Sequence, residues 1–185
     1  MKSFSNNIFL SNLIKIRWTA IGGQFFTILT VFFYFKIDIP IYGCLGIIFI
    51  SSLINIYSFF SNKNNDYLSD KEAFYFLLFD TIQLGILLYL TGGIYNPFSL
   101  LLIAPLVIST TYLPISYSIV LLLLSIFTVI LISIIYIPIN WVGSFEVPIF
   151  LTYGLTSSLI IALIFISIYV YLLANSARKI SDALL

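Results

Sequence analysis

The sequence predicts an all-α, polytopic membrane protein with six transmembrane helices and both termini in the cytoplasm. Three observations lead there. Of 185 residues, 61% are hydrophobic and only 8% charged, whereas a soluble domain carries about 25% charged and about 45–50% apolar residues, so too few charges are present to clothe a water-facing surface. Charges, prolines and paired glycines divide the chain into six apolar runs close to the roughly 20 residues that cross a bilayer. Threading those runs back and forth collects Lys2, Lys15, Arg17, Lys63, Lys71, Arg178 and Lys179 on one side, with Lys36 alone opposite, and the basic side is the cytoplasmic one.

The first run, 18–35, follows a short polar start without a small-residue cleavage pattern, so it reads as a retained span rather than a removed signal. The second, 41–60, holds the single cysteine, Cys44, which reads as a small buried hydrophobe; one cysteine makes neither a disulfide nor a thiolate cluster. The one long polar connection, 61–72, ends in Ser69-Asp70-Lys71-Glu72, a capping box that starts the third span, 73–91. The fourth, 99–112, is the shortest and contains Pro105, which predicts a kink, a tilt or a small extension. The fifth covers 117–137 and the sixth 148–173. Trp18 and Trp141 fall near the ends of runs, where amphipathic rings favour the interface. Residues 174–185 keep a helical apolar spacing beyond the sixth span and stop without a cap, so they predict the start of a cytoplasmic linker helix after a membrane domain of 1–173.

Composition also excludes functions. There is no histidine, which removes His-based acid–base catalysis, phosphotransfer and metal ligation; no catalytic residue and no metal site are predicted. A net charge of +1 argues against nucleic acid as a partner; membrane lipid is the expected surroundings.

An ionisable side chain inside the bilayer costs at least about 2.5–3.5 kcal/mol at a helix centre, so each one needs a partner. Asp80 is the clear case. Gln83 shares its face, Arg17 is the expected partner, and Gln24 lies two turns beyond Arg17 on the same face. The first and third helices should therefore pack together through Arg17, Gln24, Asp80 and Gln83. Two readings stand: a structural pair that fixes register, or a proton relay, which would need more than one carboxylate.

The second feature is Gly92-Gly93-Ile94-Tyr95-Asn96-Pro97-Phe98, between the third and fourth spans. Two glycines open backbone conformations closed to other residues, and Pro97 restricts itself and Asn96. By the parity of spans this break lies at the outer mouth, where non-helical backbone needs protein or a polar ligand to satisfy it. It carries no charge. Freed backbone N–H groups, the Asn96 amide and the rings of Tyr95 and Phe98 would suit a neutral, flat, carbonyl-bearing, lipid-soluble molecule such as a quinone head group. A plain turn between helices fits the same residues equally well.

At this motif the chain resembles the GGxxNPF heptapeptide of the RegB/PrrB/ActS redox-sensing histidine kinases, together with the helix 88–91 leading into it. Residues 17–24 are similar to the family's first-span signature, 80–84 to its third-span lead-in, and 177–184 to the start of the linker before the kinase core. The resemblance implies a six-span input domain in the bacterial inner membrane that senses the redox state of the quinone pool, with ubiquinone as ligand and Gly92, Gly93, Asn96, Pro97 and Phe98 as its site; Tyr95 falls at a variable position. It also implies a homodimer, and a cognate response regulator reached through a cytoplasmic kinase core. These residues contain neither the phosphoacceptor histidine nor an ATP-binding domain, so kinase activity is not expected of them alone, and Cys44 does not correspond to the family's cytoplasmic redox cysteine. In the expected mechanism the Gly92 and Gly93 N–H groups, which accept no donor, hold oxidised quinone better than quinol, Asn96 serves either form by turning its amide, and the sixth helix carries the bias inward. The competing reading is a small six-span transporter or channel subunit, for which the spans offer few polar residues beyond Asp80, Gln83, Gln24 and Asn55.

Overall fold

In the computed structural model the described residues are 10–61, 68–139 and 148–183; Lys2, Lys63 and Trp141, used in the reading above, lie outside them. Their elements are all helical. Helix α1 spans Leu10–Leu29 and runs into a π-helical turn, Thr30–Tyr34. Helices α2 (Ile41–Ser61) and α3 (Asp70–Leu90) follow. A 3₁₀ turn, Gly93–Tyr95, and a 3₁₀ segment, Pro97–Leu102, lead into α4 (Ile103–Tyr112), and α5 (Ile115–Ile134) and α6 (Ile149–Ala183) complete the fold.

Five of these helices are long and apolar enough to cross a membrane. The expected fourth span is the shorter apolar element Pro97–Tyr112. Its first six residues are 3₁₀ and its last ten α. At about 2.0 and 1.5 Å rise respectively they extend roughly 27 Å, nearer the ~30 Å hydrocarbon layer than an all-α segment of that length. Pro105 sits in the first turn of α4, where a missing N–H costs least, so it marks the change from 3₁₀ to α without breaking the rod.

Two boundaries differ from the sequence expectation for physical reasons. Helix α1 starts at Leu10, well before residue 18, because Arg17 is not an interface marker: it is inside the helix, 4% exposed and neutralised by Asp80. Helix α3 starts at Asp70 because the expected capping box forms: Ser69 Oγ accepts from Glu72 N, and Glu72 Oε2 accepts from Ser69 N at 2.9 Å. Helix α6 continues without interruption through Ala183, so the tail is one rod with the sixth span.

Helices α4, α5 and α6 pack on one another and α3 packs on α4 and α5, while α1 packs on α2 and α2 on α3. The main core joins Leu77, Leu84 and Leu88 of α3 to Leu106 of α4, Leu121 and Val129 of α5 and Leu163 of α6. A smaller core of Ile21, Ile28, Cys44, Ile48 and Leu87 fastens the α1–α2 pair to α3. Large apolar side chains such as Phe26, Phe49, Leu123 and Phe165 remain exposed around the outside. In water such a surface would be an aggregation liability; in a bilayer it is the solvated face.

Candidate functional site: a groove between α1, α3 and α4

Helices α1 and α4 make no extended contact with each other, and between them lies a cavity of about 540 Å³. Its floor is α3, from Leu77 through Asp80, Gln83 and Leu87 to Thr91. One wall is α1. The other is the 3₁₀ segment and α4, through Phe98, Leu101, Ala104, Pro105 and Ile108. Phe98 and Leu101 on this wall remain exposed.

Two side-chain bridges span it. Arg17 Nε donates to Asp80 Oδ1 at 3.1 Å, and Nη2 lies 3.1 Å from the same oxygen. The guanidinium also lies over the rings of Phe76 and Phe79, 5.0 and 5.8 Å from their centroids. Gln83 Nε2 donates to Gln24 Oε1 at 2.8 Å. The pairings expected from the sequence are therefore present, but they join α1 to α3 across a gap: the long polar side chains reach where the backbones do not. Each charge would be costly alone in hydrocarbon, and pairing with ring faces on the guanidinium is how the cost is met. Away from the groove, Asn55 on α2 is fully buried and its Nδ2 donates to Ile14 O on α1 at 3.3 Å, so the α1–α2 pair has its own polar fastening.

The glycine–proline motif closes one end of the groove in an unexpected way. Gly92 (φ +98°) and Gly93 (φ +61°) both need the left-handed region. A Cβ on Gly92 would meet Ile139 Cδ1 at 2.7 Å; one on Gly93 would collide with the backbone oxygen of Ile132 and meet Tyr136 Cβ at 2.6 Å. The two glycines let the chain lie directly on the end of α5. The neighbouring strand of contacts completes a clamp: Ile137 N donates to Tyr89 O at 2.8 Å, Tyr95 packs edge-on to Tyr136, and the Tyr95 hydroxyl bonds the Thr152 hydroxyl on α6.

Gly92 and Gly93, expected from the sequence to offer N–H groups to a ligand, lie in the packed part of the motif. Both residues are buried against α5 and neither lines the groove, because the close approach that requires glycine is to protein. Asn96, expected to serve a ligand by turning its amide, has that amide bonded within the motif. Its Nδ2 donates to Thr91 O and Oγ1 at 3.0 and 2.7 Å, and its Oδ1 accepts from Phe98 N at 2.9 Å as the N-cap of the 3₁₀ segment. Turning would break all three bonds. Asn96 and Phe98 line the groove, while Pro97 occupies the first position of the 3₁₀ segment and faces outward. Sequence reasoning missed the Tyr95–Thr152 link and the apolar wall of Leu101, Ala104 and Pro105; the latter is an ordinary apolar run until α1 is placed opposite it.

No protein-family model matches the chain, and no solved structure does. Among curated proteins, the sensor histidine kinase RegB of Cereibacter sphaeroides is 32% identical over 178 residues, 95% of this chain. This chain belongs to the RegB family. It corresponds to the membrane region of that sensor histidine kinase and is a multi-pass protein of the inner membrane. The chain spans 38% of the length of RegB.

Proposed function

We propose that this RegB-family domain is the membrane input of a two-component sensor histidine kinase, reporting the redox state of the quinone pool through a quinone, ubiquinone in the first instance, held in the groove between α1, α3 and α4. The observation that supports this is the cavity of about 540 Å³, apolar along its walls and bounded at one end by Asn96 and Phe98. That volume lies within the roughly 300–1,000 Å³ of small-molecule sites, and a mostly apolar lining with a few polar groups suits a neutral ring carrying carbonyls. Phe98 offers an aromatic face.

In this reading Gly92, Gly93 and Pro97 act by shaping the end of the groove, not by touching the ligand. The same clamp joins α3, α5 and α6 through Tyr95 and Thr152, so a ligand that shifts the motif also loads α6, which runs on to Ala183. A ligand moves such an equilibrium only by its difference in affinity for the two states. The kinase core, its homodimeric arrangement and its response regulator complete the proposal.

The test is titration of the purified chain in lipid nanodiscs with decylubiquinone, followed by tryptophan fluorescence; Trp18 adjoins Arg17 on α1. Saturable quenching is expected, weakened about tenfold by Phe98→Ala, since one aromatic contact and its buried area are worth about 1–2 kcal/mol. Quenching that rises linearly with quinone in the lipid, and identically in Phe98→Ala, rejects the proposal.

A further inference from the structure

We propose that Gly23 sets the size of ring that this groove admits: the side chain it lacks leaves, against the α1 backbone, the space that the substituents of a quinone ring take up. The inference rests on the quinone reading above and deepens it. Gly23 stands in the middle of α1, a helix of 20 residues, where glycine weakens the helix relative to alanine. The fold itself does not require it. Among the described residues the left-handed glycines are Gly92 and Gly93, so the helical backbone at Gly23 is one that alanine adopts. Close packing does not require it either. A Cβ on Gly85 would meet Thr128 Cγ2 at 2.7 Å, whereas one on Gly23 would have nothing within 4 Å.

That empty space belongs to the groove. Gly22, Gly46 and Gly154 are equally open, but of the four only Gly23 lines the cavity. It is exposed, and the other α1 positions on the cavity wall, from Leu13 to Ile28, all carry side chains. On the opposite wall Ala104 is exposed as well and has the smallest side chain there. Each wall therefore offers one place where a ligand lies against backbone. The α1 wall is also held in position, because Gln24 is bonded to Gln83 at 2.8 Å and Ile21 and Ile28 belong to the core shared with α2. A flat ring in van der Waals contact with that backbone leaves no room for a methyl group between them, and forcing one in weakens binding as overpacking weakens a core. The effect is one of shape. Oxidised and reduced rings carry the same substituents and are affected alike, while rings that differ in the bulk of their substituents are told apart.

The experiment titrates the full chain in nanodiscs with decylubiquinone and with the smaller-ringed decylplastoquinone, which has methyl groups where the first has methoxy groups. The variants are Gly23→Ala, Gly23→Val and the neighbouring control Gly22→Ala, each also unfolded in mixed micelles. Gly23→Ala should be no less stable than the wild type, yet bind decylubiquinone about tenfold more weakly, the scale of one methyl forced into a filled site. The loss should be smaller for decylplastoquinone and larger in Gly23→Val, and Gly22→Ala should bind both quinones as the wild type does. Unchanged binding in both Gly23 variants, an equal loss for the two rings, or the same loss in Gly22→Ala overturns the inference and leaves the quinone reading intact. So does a Gly23→Ala that unfolds more easily, since protein would then occupy the space assigned to the ligand. Absence of saturable binding of either quinone to the wild type overturns both.

Discussion

Replacing Gly93 by alanine should be among the most damaging single-methyl additions in this protein, and the structure says how much worse than its neighbour it should be. At φ +61° the left-handed backbone costs any L-residue about 1–2 kcal/mol. The new methyl would also run into the Ile132 backbone oxygen and the root of the Tyr136 side chain, neither of which can swing away, and forced overpacking of this kind costs about 1–3 kcal/mol. Together Gly93→Ala should lose about 2–5 kcal/mol. Gly92→Ala carries the backbone strain at φ +98°, but its methyl meets the far end of the flexible Ile139 side chain, so about 1–2 kcal/mol is expected. Gly23→Ala, with nothing within 4 Å of the added carbon, should be neutral or gain up to about 1 kcal/mol from helix preference. The assay is equilibrium unfolding in mixed detergent micelles, followed by helical circular dichroism. If Gly93→Ala unfolds with Gly23→Ala, or Gly92→Ala proves the worse of the two, the close packing of the motif on α5 is wrong.

Other consequences are as specific. Ser69→Ala should cost about 1 kcal/mol through loss of the capping box, seen as faster amide exchange confined to the first turn of α3. Gln24→Leu and Gln83→Leu should each cost about 1–3 kcal/mol by stranding the other amide, whereas the double replacement should be nearly neutral, a coupling that a double-mutant unfolding cycle measures. Ala104→Trp should fill the groove and weaken decylubiquinone binding at least about tenfold while unfolding stays within about 0.5 kcal/mol of wild type; Leu123→Trp, on the lipid-facing side of α5, should do neither.

Much of the fold was legible because hydrocarbon imposes simple rules. An aspartate in an apolar run must find a cation, so Asp80 led to Arg17, and the matching face spacing led to Gln24 and Gln83. The Ser69–Glu72 box follows from local chemistry alone. What escaped depended on tertiary neighbours. Arg17 looked like the edge of a span because its charge was counted before its partner lowered the cost of burial. Gly92 and Gly93 looked like a ligand cradle because nothing in their own segment says that Ile132, Tyr136 and Ile139, some forty residues on, take that space. Asn96 looked free to turn its amide, because only the bend at Thr91 brings the partner that takes it. The 3₁₀ start of the fourth span is likewise invisible to a hydropathy count.

The most direct measurement of the central claim is photoaffinity labelling of the nanodisc-embedded chain with an azido-quinone, followed by mass-spectrometric mapping with excess unlabelled quinone as competitor. Label that the competitor removes should fall on the groove faces, residues 17–28 of α1, 80–91 of α3 and 98–108. Competed label confined to α5 and α6, or label on all helices that the competitor leaves unchanged, would contradict a quinone site between α1, α3 and α4.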